Sequence, residues 1–183
     1  MNITDMLSLA ITNKDSLRLA LLLQFNKEEV CKAVVANVFG DVSPLQSAVY
    51  HKYFEGVQLL LDAGASPEAI HSHIDPPLVV SCFQGTQDIT QILLTAGADI
   101  HKVDRDGWSP LMAAVHSNLL NVVRYFLLNG VDIENKSSYG DTALLVACTQ
   151  KNRCPEMIDL LLEHGANIYV SNAWGESPNQ YLQ

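Results

Sequence analysis

The chain has 183 residues, enough for one domain or two, and 48% of them are hydrophobic against 17% charged, a balance that excludes intrinsic disorder. Lys and Arg number 11 against 20 Asp and Glu, a net charge of −9. That balance disfavours phosphate backbones and anionic membrane surfaces, so nucleic acid and membrane are not expected partners, and basic proteins are.

Residues 1–25 are apolar, but Asp5, Lys14, Asp15 and Arg18 interrupt them and residues 19–23 form the longest unbroken run. That run is too short for a secretory signal or a membrane span, so the segment reads as folded structure. Further along, Pro44-Leu45, Pro77-Leu78, Pro110-Leu111 and Ala143-Leu144 follow one another at 33 positions. Apolar runs closed by Gly64, Gly97, Gly130 and Gly165 recur at 33, 33 and 35. A fixed period of this size means stacked similar repeats.

The repeat from Asp104 shows the grammar. Asp104-Arg105-Asp106-Gly107 has turn composition, Ser109 is a helix N-cap and Pro110 fits the first helical position. Leu111, Ala114 and Val115 give an apolar stripe, and Ser117-Asn118 breaks the helix. A second helix is predicted over 120–128, apolar at Val122, Val123, Phe126 and Leu127 and closed by Gly130. At the N-terminus Leu7, Ala10, Leu22 and Leu23 fit a degenerate repeat with Asn26 in the glycine slot and five extra residues around 27–38. Gly175-Glu176-Ser177-Pro178 opens a sixth repeat that stops at Gln183.

Ser109-Pro110-Leu111-Met112-Ala113-Ala114, Leu94-Thr95-Ala96-Gly97-Ala98-Asp99 and Leu162-Glu163-His164-Gly165-Ala166-Asn167 resemble the ankyrin repeat, with its T-P-L-H-x-A opening, leucine-rich second helix and G-A-D ending. The resemblance covers about 38–172. It implies an all-α ankyrin-repeat solenoid of helix-turn-helix repeats with short β-hairpin-like turns. The expected division is one ankyrin-repeat domain over 1–183. Repeats lie at 38–70, 71–103, 104–136 and 137–171, with a capping repeat at 1–37 and a truncated one at 172–183. The family's histidine after Pro-Leu is replaced by Gln46, Val79, Met112 and Leu145, so packing is expected to hold the turns instead. Pro76 and Ile74 make the turn before Pro77 the least regular expected. Two extra residues within 151–155 are expected to loop out, with Pro155 opening the next helix.

Searches for catalytic, phosphate-binding and zinc-binding motifs are negative, so no catalytic residue, metal or cofactor is expected. His71 and His73 flank a turn tip, His51 and His116 lie at first-helix ends, and His164 is placed to cap a helix. Among the cysteines, Cys31, Cys82, Cys148 and Cys154, the same-slot pair Cys82 and Cys148 should lie about 20 Å apart, two helix spacings. That is beyond the roughly 7 Å a disulfide tolerates. A reducing, intracellular and cytoplasmic setting is therefore expected. Cys154, beside Arg153, is expected to be the most exposed thiol.

The turn tips carry Phe39, Trp108, Tyr139 and Trp174, and first helices end near Tyr50 and Phe83. These slots resemble the family's variable contact positions on its concave face. Tyr50 and Tyr139 read as binding residues, Phe39 and Phe83 as buried. Trp108 and Trp174 fit either an anchor or packing on a neighbouring turn. Acidic residues Asp75, Asp106, Asp141 and Glu176 border the rings, with Asp41 joining them in one register, and suit a basic or Arg-bearing partner segment. The expected partner-binding set is Tyr50, His51, His73, Asp75, Asp106, Trp108, His116, Tyr139, Asp141 and Trp174. The expected function is non-catalytic protein docking. The alternative is a recognition arm of a larger protein, such as a microbial effector or a regulated enzyme, whose activity lies outside this chain.

Overall fold

Seven- and nine-residue apolar segments, each opened by a cap or a proline, are too short to persist as isolated helices. They become stable only against neighbours, and the chain supplies those by repetition. The structure, a computed structural model, describes residues 3–32, 35–37, 40–68 and 74–182. Among them are α1 (Ile3–Thr12), α2 (Ser16–Lys32), α3 (Pro44–Tyr50), α4 (Phe54–Asp62), α5 (Pro77–Phe83) and α6 (Gln87–Thr95). α7 (Pro110–His116), α8 (Leu120–Leu128), α9 (Ala143–Thr149) and α10 (Pro155–Glu163) follow, with a closing 3-10 turn at Pro178–Gln180. From α3 onward every first helix has 7 residues and every second helix 9. The fold is all-α repeat.

The helix starts have identifiable causes. Ser109 Oγ accepts from Met112 N at 3.2 Å and Thr142 Oγ1 from Leu145 N at 3.3 Å. At α3, Ser43 Oγ accepts from Gln46 N while Gln46 Oε1 accepts from Ser43 N, a reciprocal capping box. Asn118 takes φ 58 at the break after α7 and Gly130 φ 75 after α8, the left-handed turns those positions require. Pro155 opens α10 after the inserted residues.

First helices are buried nearly all round: residues 110–115 of α7 and 143–148 of α9 are all buried. Second helices bury one face, as in Val122, Val123 and Phe126 of α8. Cα packing groups the chain into two compact units, Met1–Ser81 with Asp88–Ala98, and Cys82–Gln87 with Asp99–Gln183. In the first, α1 packs on α2 and α3, and α2 and α3 each pack on α4. In the second, α7 packs on α8 and α9, and α9 on α10 and the closing turn.

The N-terminal segment departs from expectation at Asn26. Its backbone, φ −139 and ψ 38, kinks α2 instead of ending it in a left-handed cap, and the helix resumes to Lys32. The extra residues are taken up by this extension and by an antiparallel pair, β1 (Val35–Asn37) with β2 (Gly40–Val42), Val35 opposite Val42. The four cysteines are free thiols, Cys82 and Cys148 buried and Cys31 and Cys154 half-buried. Burial pushes the Cys31 and Cys148 thiols up, against a smaller opposing pull from Lys27 and Arg153 respectively.

Candidate functional site

Six of the expected contact residues lie in the second compact unit, where three turns are built on one plan. Asp104 Oδ1 accepts from Asp106 N at 2.9 Å and Trp108 N at 2.8 Å. Ser137 Oγ accepts from Tyr139 N at 3.2 Å and Asp141 N at 3.1 Å. Asn172 Oδ1 accepts from Trp174 N and Glu176 N, both at 3.0 Å. Asp104, Ser137 and Asn172 thus occupy one slot, each satisfying the backbone two and four residues ahead. Between turns, Ser138 N donates to the Asp106 carbonyl at 2.7 Å and Ala173 N to the Tyr139 carbonyl at 2.8 Å.

The expectation that packing replaces the family's histidine network is incomplete, because hydrogen bonds act beside packing. Hydrogen bonds hold these turns, through an acceptor at the turn's first residue and a backbone step from each tip to the next. The close approach explains two glycines. A Cβ on Gly107 (φ 76) would meet Ser138 N at 3.0 Å, and one on Gly140 (φ 82) would meet Asn172 Cα at 3.2 Å.

This plan sets two rows of side chains. Asp106, Tyr139 and Trp174 share the first tip slot, while Trp108, Asp141 and Glu176 share the second. Tyr139 stacks on Trp174 at 5.3 Å between centroids, and the two remain 51% and 64% exposed. Trp108 is half-buried, its ring 5.0 Å from Phe83 and 5.8 Å from His116. Phe83, expected to be buried, is 36% exposed. It is the last residue of α5, where the Trp108 and His116 rings cover only part of it and the chain turns away.

Trp108, His116, Asp141 and Trp174 line one cleft of about 500 Å³, together with Asn172, Glu176 and Tyr181 among others. Asn172 Nδ2 donates to Asp141 Oδ1 at 2.9 Å and to Glu176 Oε2 at 3.1 Å, bracketing two carboxylates with one amide. Tyr181 donates its hydroxyl to Glu176 Oε1 at 3.0 Å, and this bond above all pushes the phenol's pKa up. Arg153 donates to the Tyr181 carbonyl at 3.0 Å and lies over its ring at 5.4 Å.

The remaining expected residues are not in this cleft. Tyr50 is half-buried at the end of α3, and His51 is one slot further, its Nδ1 donating to the Ser47 carbonyl at 2.8 Å as a helix cap. Asp75 is half-buried ahead of α5. All three belong to the first compact unit. His71, His73 and Phe39 lie outside the described residues, as do the side chain of Asp41 and most of the turn expected to be irregular. His164 caps α10 as expected, Nδ1 to the Leu160 carbonyl at 2.9 Å.

Asn172 and Tyr181 were not singled out by sequence reasoning. The recurrence of Asp104, Ser137 and Asn172 at 33 and 35 positions was the available signal for Asn172. Nothing periodic marks Tyr181. Among the described residues no helix is long and apolar enough to cross a membrane, and no three His, Cys, Asp or Glu groups converge as metal ligands.

A family model described as ankyrin repeats, in three copies, matches residues 78–172, more than half the chain. The protein belongs to the ankyrin-repeat family. No curated protein matches it. Ankyrin repeats are generally protein–protein interaction modules, and such domains are typically non-catalytic.

Proposed function

We propose that this chain docks another protein through the tips of its last three turns and the adjoining helix ends, with Trp108, Tyr139 and Trp174 as anchors. The observation that carries the reading is the exposed Tyr139–Trp174 stack, held by turns in which every backbone N–H of 137–141 and 172–176 is hydrogen-bonded. A rigid aromatic surface loses little entropy when it is covered, which favours it as a binding anchor. Asp106, Asp141 and Glu176 add negative charge around the rings, suited to a basic partner segment. Tyr50, His51, His73, Asp75 and His116 complete the proposed contact set. With this reading go a non-catalytic role and a cytoplasmic setting. The repeat division belongs to it too: 38–70, 71–103, 104–136 and 137–171, between terminal repeats 1–37 and 172–183.

The test is a photo-crosslinking amino acid placed at Tyr139 and, as a control, at Leu128, which is 79% exposed on α8. Irradiation in the native cell should give a discrete protein adduct from position 139 and none from 128. Adducts of equal yield at both positions, or at neither, contradict the reading. A second reading, a recognition arm within a larger protein, rests on the same surface and differs only in what is attached to it.

A further inference from the structure

The cleft between Trp108 and Trp174 has a chemistry more specific than a general acidic border. Its walls are aromatic and each is backed from outside the cleft. Tyr139 covers one side of Trp174 yet does not line the cleft, so the 64%-exposed indole keeps its other side open. Trp108 is braced by Phe83 at 5.0 Å. In the same lining, Asp141 and Glu176 share the Asn172 amide, and of the 10 residues lining the cleft none is Lys or Arg, although Arg153 lies over the ring of Tyr181. Asn172 and Tyr181 make three hydrogen bonds to the two carboxylates, and the Ser137 hydroxyl donates a fourth, to Asp141 Oδ2 at 3.4 Å. Two carboxylates offer about eight lone-pair sites, so acceptor capacity remains.

Resting on the docking reading above, we infer that this cleft receives one arginine side chain of the partner protein. A guanidinium is planar, always charged and weakly hydrated, stacks on aromatic faces and presents a fork of donors to carboxylates. Lysine offers a compact ammonium that cannot lie flat against an indole or address two carboxylates with a rigid fork. An anionic ligand meets two like charges. The net charge of −9 steers a basic segment toward the protein, while the cleft selects which side chain anchors it.

The probes are N-acetylarginine amide, its neutral near-isostere N-acetylcitrulline amide, and the amide of α-acetylated lysine with its ammonium free. Each is titrated into the full chain while the two indole N–H signals of Trp108 and Trp174 are followed by NMR. The arginine compound should shift both indoles in a saturable way, with a dissociation constant on the order of 1–10 mM. The citrulline compound should leave them in place, and lysine should bind at least about fivefold more weakly. Asp141→Asn and Glu176→Gln, each retaining a hydrogen-bond acceptor, should each weaken arginine binding by roughly tenfold with unchanged folding by circular dichroism. Where one variant misfolds, the other decides.

Lysine binding as tightly as arginine, or arginine shifts that survive both substitutions, would overturn the assignment, as would the absence of any saturable shift. Loss of arginine binding to the wild type with the Tyr139 crosslink intact removes the cleft assignment and leaves protein docking standing. Loss of the crosslink with arginine binding intact removes the docking reading and with it the partner protein as the source of the arginine, leaving only a guanidinium-binding cleft.

Discussion

At the scale of single residues, the side chain that opens each tip turn matters more than the family histidine that is missing here. Asp104 holds the amides of Asp106 and Trp108, and through them the orientation of an aromatic wall. Asp104→Ala leaves two backbone donors without that acceptor and is expected to cost about 1–3 kcal/mol in urea unfolding. Asp104→Asn keeps the acceptor oxygen and should recover most of the loss; a neutral alanine variant would show that water replaces the bond at no cost. The sequence showed Asp104 only as a turn former. Its role became visible once Ser137 and Asn172 proved to accept from the same two positions ahead. An aspartate, a serine and an asparagine look unlike one another in a sequence, yet all offer an oxygen at the same reach.

Among the elements, repeat length and helix boundaries were legible in detail. The predicted second helix over 120–128 is the observed α8, and Asn118 breaks the chain as its tolerance for φ > 0 implied. Those features depend on local periodicity and cap chemistry, which a sequence displays directly. Where tertiary contact decides, the sequence was silent, and α4 is the clearest case. Gly56 lies in the first turn of α4, and Tyr53 just before it is 1% exposed, with its hydroxyl donating to Ser16 Oγ at 2.8 Å. A Cβ on Gly56 would fall within the Tyr53 ring. Helix propensity favours alanine over glycine by about 1 kcal/mol, but overpacking a fully buried ring costs about 1–3 kcal/mol, and this buried ring also carries a hydrogen bond that displacement would break. Gly56→Ala is accordingly expected to destabilise the protein by about 2 kcal/mol in denaturant titration. A neutral or stabilising result would mean that the ring yields. Asn26 makes the same point in reverse: its slot suggested a helix end, and packing of α2 on α4 accompanies a helix that continues beyond the kink.

At the scale of the whole molecule, short helices stabilised by their neighbours hold a firm set of turn tips, and the proposed docking uses them. The period announced the stack, and the tips' composition pointed to Trp108, Asp141 and Trp174. Which tips converge could not be read in advance, since convergence depends on how each turn steps onto the next through bonds such as Ala173 N to the Tyr139 carbonyl. Trp108 also packs on Phe83 and His116, so its removal would mix folding with binding. The exposed pair Tyr139 and Trp174 separates the two. The most direct test is therefore the affinity of the partner identified by crosslinking for the Tyr139→Ala/Trp174→Ala protein, measured alongside its Tm. Loss of two aromatic anchors should weaken binding by at least about 30-fold, while Tm falls by no more than about 5 °C. Unchanged affinity would contradict the account, as would a collapse in Tm large enough to explain the lost binding by unfolding.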